Sequence, residues 1–152
     1  AFAPVMRSHE GNRPSENLQI DSSPEILTHF ARMSQVHAQL APYVRAVCDE
    51  AVATGLPLQR PLFLHYDDPE YHDIQDQYLY GADMIVAPVV EEGYESRLVI
   101  LPQGAWVHLW TGALYGKGTH DIAAPHGQPP VFVRQDSAHA DLFASIRAAF
   151  GA

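Results

Sequence analysis

A chain of 152 residues with 47% hydrophobic content is long enough to bury a core, which excludes an intrinsically disordered segment. Nine Lys and Arg against 18 Asp and Glu leave a formal charge of -9 and no basic stripe to neutralise phosphates, so nucleic acid and anionic membranes are excluded as partners in favour of a small, locally complemented substrate. Cys48 is the only cysteine, which rules out an internal disulfide and a thiolate metal cluster and points to a reducing, cytoplasmic compartment; no apolar run approaches the roughly 20 residues that span a bilayer, and "AFAPVMRSHE" lacks the basic and long apolar regions of a secretion signal.

In chain order, "AFAPVM" (1–6) reads as a short buried strand, with Pro4 where its missing N–H does no harm. At its tip stands "RSHEGNRP", where period-two alternation puts Arg7 and His9 on one side and Ser8 on the other. "SSPEIL" announces a helix: Ser23 caps it, Pro24 takes the first helical position and Glu25 favours the positive end of the dipole. Ile26, Phe30, Met33, His37, Leu40, Val44, Val47 and Ala51 then form one apolar stripe, which Pro42 must kink or break near Ala41 before Gly55 and Pro57 end it. "QRPLFLHY" (59–66) reads as a strand buried on both faces, so the first half predicts a βαβ unit with a parallel sheet.

After about residue 82 the texture changes. "MIVAPVV", "RLVILP", "AWVHLW", "HDIAA" and "PVFVR" are short β-rich runs between turn-forming clusters, which predicts an antiparallel sheet or small β-sandwich over 83–152. Alternation in "AWVHLW" would put Trp106, His108 and Trp110 on one face, and "DLFASIRAAF" places Leu142, Phe143, Ile146 and Phe150 at helical spacing. A single βαβ unit cannot close a barrel, and its edges need neighbours, so the chain reads as the end of something larger.

The ordered pieces "FAPVMRSH", "LAPYVRAV", "GLPLQRPLFLHYDDP", "QDQYLYGADMIVAPV", "LPQGAWVHLWTG" and "PPVFVR" resemble the C-terminal part of glycoside hydrolase family 31. Those enzymes are retaining α-glycosidases with a (β/α)8 TIM barrel followed by β-sandwich domains. The resemblance implies that residues 1–82 are the C-terminal strands and helices of the barrel, and 83–152 a proximal β-domain with a terminal helix. "RSHEGNRP", "PVVEEGYES", "WVHLWTGALYGKG" and the last stretch from "PPVFVR" look most like bacterial members that release sulfoquinovose, a 6-sulfonated glucose, from sulfolipid glycosides.

The resemblance gives His9 a place in the sugar pocket and Arg7 a buttressing role beside it, as the substrate-binding residues. It implies that the catalytic nucleophile and acid/base, both Asp, lie upstream of Ala1, so no residue of this chain is expected to be catalytic. No metal or cofactor is implied. Expected partners are a small-molecule glycoside and the upstream part of the same barrel; a homo-oligomer is allowed.

Two other readings compete. One is a non-catalytic carbohydrate-binding or structural β-domain, with Trp106 and Trp110 as a stacking platform; packing is the blander role for these indoles. The other is a small hydrolase using Glu10 and Asp67 as its own pair, against which stand the solvated position expected for Glu10 and the turn expected at Asp67 and Asp68. His65, Asp67 and His72 have no ligand spacing that recommends a metal site, and Arg13 reads as a solvated loop residue.

Overall fold

The computed structural model describes residues 1–9, 11–13 and 15–151. Two helices come first, α1 (Pro24–Gln39) and α2 (Ala41–Thr54). Eight strands follow: β1 (Gln59–Arg60), β2 (Tyr78–Tyr80), β3 (Met84–Val86), β4 (Ser96–Leu101), β5 (Trp106–His108), β6 (Leu114–Tyr115), β7 (Gly118–Ala123) and β8 (Val131–Arg134). The last element is α3 (Ala140–Phe150).

Helix boundaries follow the local chemistry. Ser23 sits in extended backbone and its side chain accepts from Ile26 N–H at 3.2 Å, satisfying one of the unpaired donors of the first turn of α1. Pro42 cannot continue the hydrogen-bond ladder, so α1 ends at Gln39 and α2 restarts at Ala41 around Leu40, which is itself fully buried. Gly55 closes α2 at φ 80°, a left-handed turn that suits glycine.

Six strands form one antiparallel sheet in the order β1-β2-β3-β8-β5-β6, and β4 and β7 form a separate antiparallel ribbon. Period-two alternation splits the core between two faces of the large sheet. Tyr80, Met84, Val86, Val131 and Val133 face the helices, joining Met33, Val36, Leu40, Tyr43, Val47, Phe143 and Ile146. Leu79, Ile85 and Phe132 face the other way and pack with Val99, Leu101 and Ile122 of the ribbon. The result is three layers, helices over sheet over ribbon, with the antiparallel β-domain expected of the second half.

The expected βαβ unit is absent among the described residues. Residues 1–6 form no strand, and β1 stops at Arg60 because Pro61, without an N–H, ends the ladder and Leu62–Leu64 tighten into a 3-10 turn. What there is of this strand pairs antiparallel with β2. No parallel pairing occurs among the described strands, so a barrel portion is not shown within this chain. Strands on either side of residue 82 share one sheet, since β2 pairs with β3 across that turn. The sequence reading also passed over β2, a three-residue strand too short to show periodicity.

The indoles part company as well. Strand β5 ends at His108, the chain turns, and alternation no longer applies. Trp106 lies in the ribbon-side core and donates to Pro102 O at 2.9 Å, whereas Trp110 lies in the helix-side core and donates to Pro129 O at 2.7 Å. Both rings are buried, which removes them as a sugar platform.

Candidate functional site

The segment carrying Arg7 and His9 is anchored at its start. Phe2 is buried edge-on to Trp110 with ring centroids 5.9 Å apart, and its carbonyl accepts from Tyr78 OH at 2.8 Å and Gln59 Nε2 at 3.3 Å. From that anchor the backbone runs outward, Met6 still packed on the core, to Arg7, Ser8 and His9, which are exposed. Gly11 adopts φ 73° and its N–H donates to His9 Nδ1 at 2.9 Å. With Nδ1 accepting, the neutral imidazole carries its proton on Nε2, so His9 presents a donor outward.

Other expected residues stay apart from this loop. Arg13 pairs with Glu16 at 3.2 Å on the open surface. Asp67 is exposed in the turn before the 3-10 helix Pro69–Tyr71, and Asp68 accepts from Glu70 N–H at its start. Glu10 lies outside the described residues. Among the described residues no group of three His, Cys, Asp or Glu is placed to hold a metal ion.

Sequence reasoning missed a buried cation. Arg60, with no exposed side-chain surface, donates to both Glu50 oxygens at 2.7 and 3.3 Å and to Pro57 O at 2.8 Å, and lies 2.7 Å from His65 Nε2. The hydrogen bond from Arg60 holds the Glu50 carboxyl below the usual range, while burial and the adjacent guanidinium hold His65 below its ordinary value. His65 is therefore a neutral acceptor toward Arg60. The cluster ties α2 to β1 and the following turn. Its only sequence signal was an Arg inside an apolar run, "LQRPLFL".

His65 also borders a polar recess of about 350 Å³ with Tyr66, Asp83, Arg134, Asp136 and Ser137. Ser137 Oγ donates to Asp83 Oδ2 at 2.6 Å, and Arg134 grips Asp136 with two bonds of 2.9 Å. These carboxylates are already engaged, so the recess holds shape and offers no free nucleophile.

The chain thus presents an antiparallel β-domain with a helical layer and an exposed His, and its recess carboxylates are engaged in structure. A family model described as the glycosyl hydrolase family 31 C-terminal domain matches residues 55–138. The chain belongs to glycoside hydrolase family 31. Within that family it is similar to a sulfoquinovosidase of Agrobacterium fabrum, 53% identical over 150 residues, 97% of this chain and 23% of the relative. A sulfoquinovosidase of Escherichia coli is 49% identical over 148 residues, again 97% of this chain and 22% of the relative. The solved structure of a family 31 sulfoquinovosidase from E. rectale, in complex with an aza-sugar inhibitor, superimposes with a TM-score of 0.96 at 44% identity over 99% of this chain and 23% of that one. The chain thus spans about a quarter of the length of these relatives.

Proposed function

We propose that this chain is the C-terminal part of a retaining α-glycosidase that hydrolyses α-sulfoquinovosides, and that it supplies substrate contact and support but no catalytic carboxylate. The observation that carries this reading is the 53% identity to a sulfoquinovosidase over 97% of the chain. Hydrolysis with retention uses two carboxylates, one attacking the anomeric carbon and one protonating the leaving oxygen before activating water. Both belong to the upstream part of the parent, which is also the partner of this chain.

In that parent, residues 1–82 are the barrel's share and 83–152 the β-domain's, with β1 and β2 as the seam. His9 Nε2–H donates to a hydroxyl of the sugar held at the cleaved position, a bond that gains strength as positive charge develops on the ring. Arg7, two residues earlier, supports the same pocket. The parent works in the cytoplasm, a reading supported by the lone Cys48.

The test is hydrolysis of 4-nitrophenyl α-sulfoquinovoside followed by NMR of the released sugar. The full-length parent is expected to release the α-anomer first, and the isolated 152-residue chain to release nothing. Initial release of the β-anomer, or turnover by the isolated chain, contradicts the proposal.

A further inference from the structure

Strand β4 is paired along one edge. Ala124 N–H donates to Glu95 O at 2.7 Å, and the register runs from Ser96 opposite Ala123 to Leu101 opposite Gly118. Residues in phase with Glu95, namely Arg97, Val99 and Leu101, therefore exchange ladder bonds with β7, and Ser96, Leu98 and Ile100 turn their peptide groups to the other edge. At Ile100 both groups are taken by one side chain: Gln77 Nε2 donates to Ile100 O at 2.7 Å and Ile100 N–H to Gln77 Oε1 at 3.0 Å. Arg97 Nε reaches along the chain to Leu98 O at 3.1 Å. Among the described residues, the peptide groups of Ser96 and the N–H of Leu98 have no hydrogen-bond partner.

They open into a cleft of about 460 Å³ walled by Pro88–Glu91, Tyr94, Asp76 and Asp121. Arg97 fastens these walls, donating to Asp76 O at 2.8 Å and Pro88 O at 2.6 Å and pairing with Asp76 Oδ2 at 2.9 Å. Three large apolar side chains stay in solvent here: Val90 is 67%, Tyr94 61% and Leu98 62% exposed. Exposed apolar groups beside unused backbone donors and acceptors mark a surface that binds something.

Charge and length decide what. Asp76, Glu91 and Asp121 outnumber the one guanidinium, whose donors are committed, so an anionic ligand is repelled. The open edge is about two residues long because Gln77 closes it at Ile100, far short of the roughly five or six residues of an ordinary strand, so an added peptide strand has no room. A compact ligand with hydroxyls for carboxylates and peptide groups, and a C–H face for Tyr94, fits both limits, and the volume suits one or two sugar rings. We propose that this cleft binds a neutral pyranoside, stacked on Tyr94 and hydrogen-bonded to Asp121 and the open edge of β4.

The probe is methyl α-D-glucopyranoside, titrated into the full-length parent and followed by saturation-transfer NMR. A saturable signal is expected with a Kd on the order of 1–10 mM. Tyr94→Ala should weaken it roughly tenfold, the scale of one ring contact, while Tyr94→Trp keeps it. A titration that Tyr94→Ala leaves unchanged overturns the proposal. So does a lysine-rich extended peptide that binds in a Tyr94-dependent way where the sugar does not. Because the readout is binding and not hydrolysis, it stands or falls separately from the glycosidase reading.

Discussion

At the scale of single residues, His9 and His108 do opposite things with the same ring. His9 is exposed and oriented by one bond from Gly11, so its removal costs the fold little. In the full-length parent, His9→Ala is expected to lower kcat/KM by on the order of 10²-fold, the scale of one directed donor, with thermal unfolding unchanged. Steady-state kinetics beside a melting curve checks this; normal kcat/KM would reduce the loop to scaffolding. His108 is buried against Phe132, bonded through Nδ1 to Thr111 Oγ1 at 2.9 Å, and among the described residues its Nε2 has no partner. Burial holds its pKa down. Below the ordinary histidine value of about 6.5 the unfolded chain takes up a proton that the folded ring refuses, so this contribution to stability is lost as pH falls through that point. His65 and His29, also held down by burial, add to the same slope. The melting temperature should therefore drop between pH 7 and 5, and His108→Phe, which keeps a ring against Phe132, should flatten the drop. Parallel curves for wild type and variant would contradict it.

Elements with a local chemical cause were legible, and elements with a distant cause were not. Ser23, Pro24, Pro42 and Gly55 fixed the two helices because capping and chain breaking act within a few residues. Residues 1–6 do not form the expected strand because an apolar run becomes a strand only when a neighbouring strand takes its peptide groups in a ladder, and none of the described strands pairs with it. Arg60 escaped for a related reason: its partners, Glu50 ten residues earlier and His65 five later, meet through the turn after α2 and not through any spacing rule. The outward Arg-His tip was legible as a pair of residues, while the Gly11 bond that sets the His9 proton was not.

That Arg60 cluster makes an asymmetric prediction about its element. Arg60 has no exposed side-chain surface, whereas Glu50 is 34% exposed and can rehydrate when left alone. Glu50→Ala leaves a buried cation uncompensated and should cost about 3 kcal/mol, the lower end for breaking a buried pair; Arg60→Met should cost less. Urea unfolding of both variants measures the order. If Arg60→Met proves the more damaging, the guanidinium matters for its packing beyond its charge.

On the scale of the whole molecule, three layers share two cores, and the helices α1 and α3 are clasped through one residue. Arg32 donates to Gly127 O at 3.2 Å and Phe150 O at 2.5 Å while its guanidinium stacks 5.4 Å from the Trp110 ring. Leu18, Val5, Phe63 and Leu64 remain exposed on this body, and in the proposed parent this apolar surface is where the upstream part would pack. On the proposed function the chain supports His9 and leaves the hydrolytic chemistry to the upstream part of the parent. Family membership alone does not select the sugar, since one fold hosts many specificities. The direct measurement is the ratio of kcat/KM of the full-length parent on 4-nitrophenyl α-sulfoquinovoside to that on 4-nitrophenyl α-glucoside. The account predicts a ratio of at least about 10², because a site built to pair a sulfonate leaves buried polar groups unmet by a glucoside; a ratio near one would contradict it.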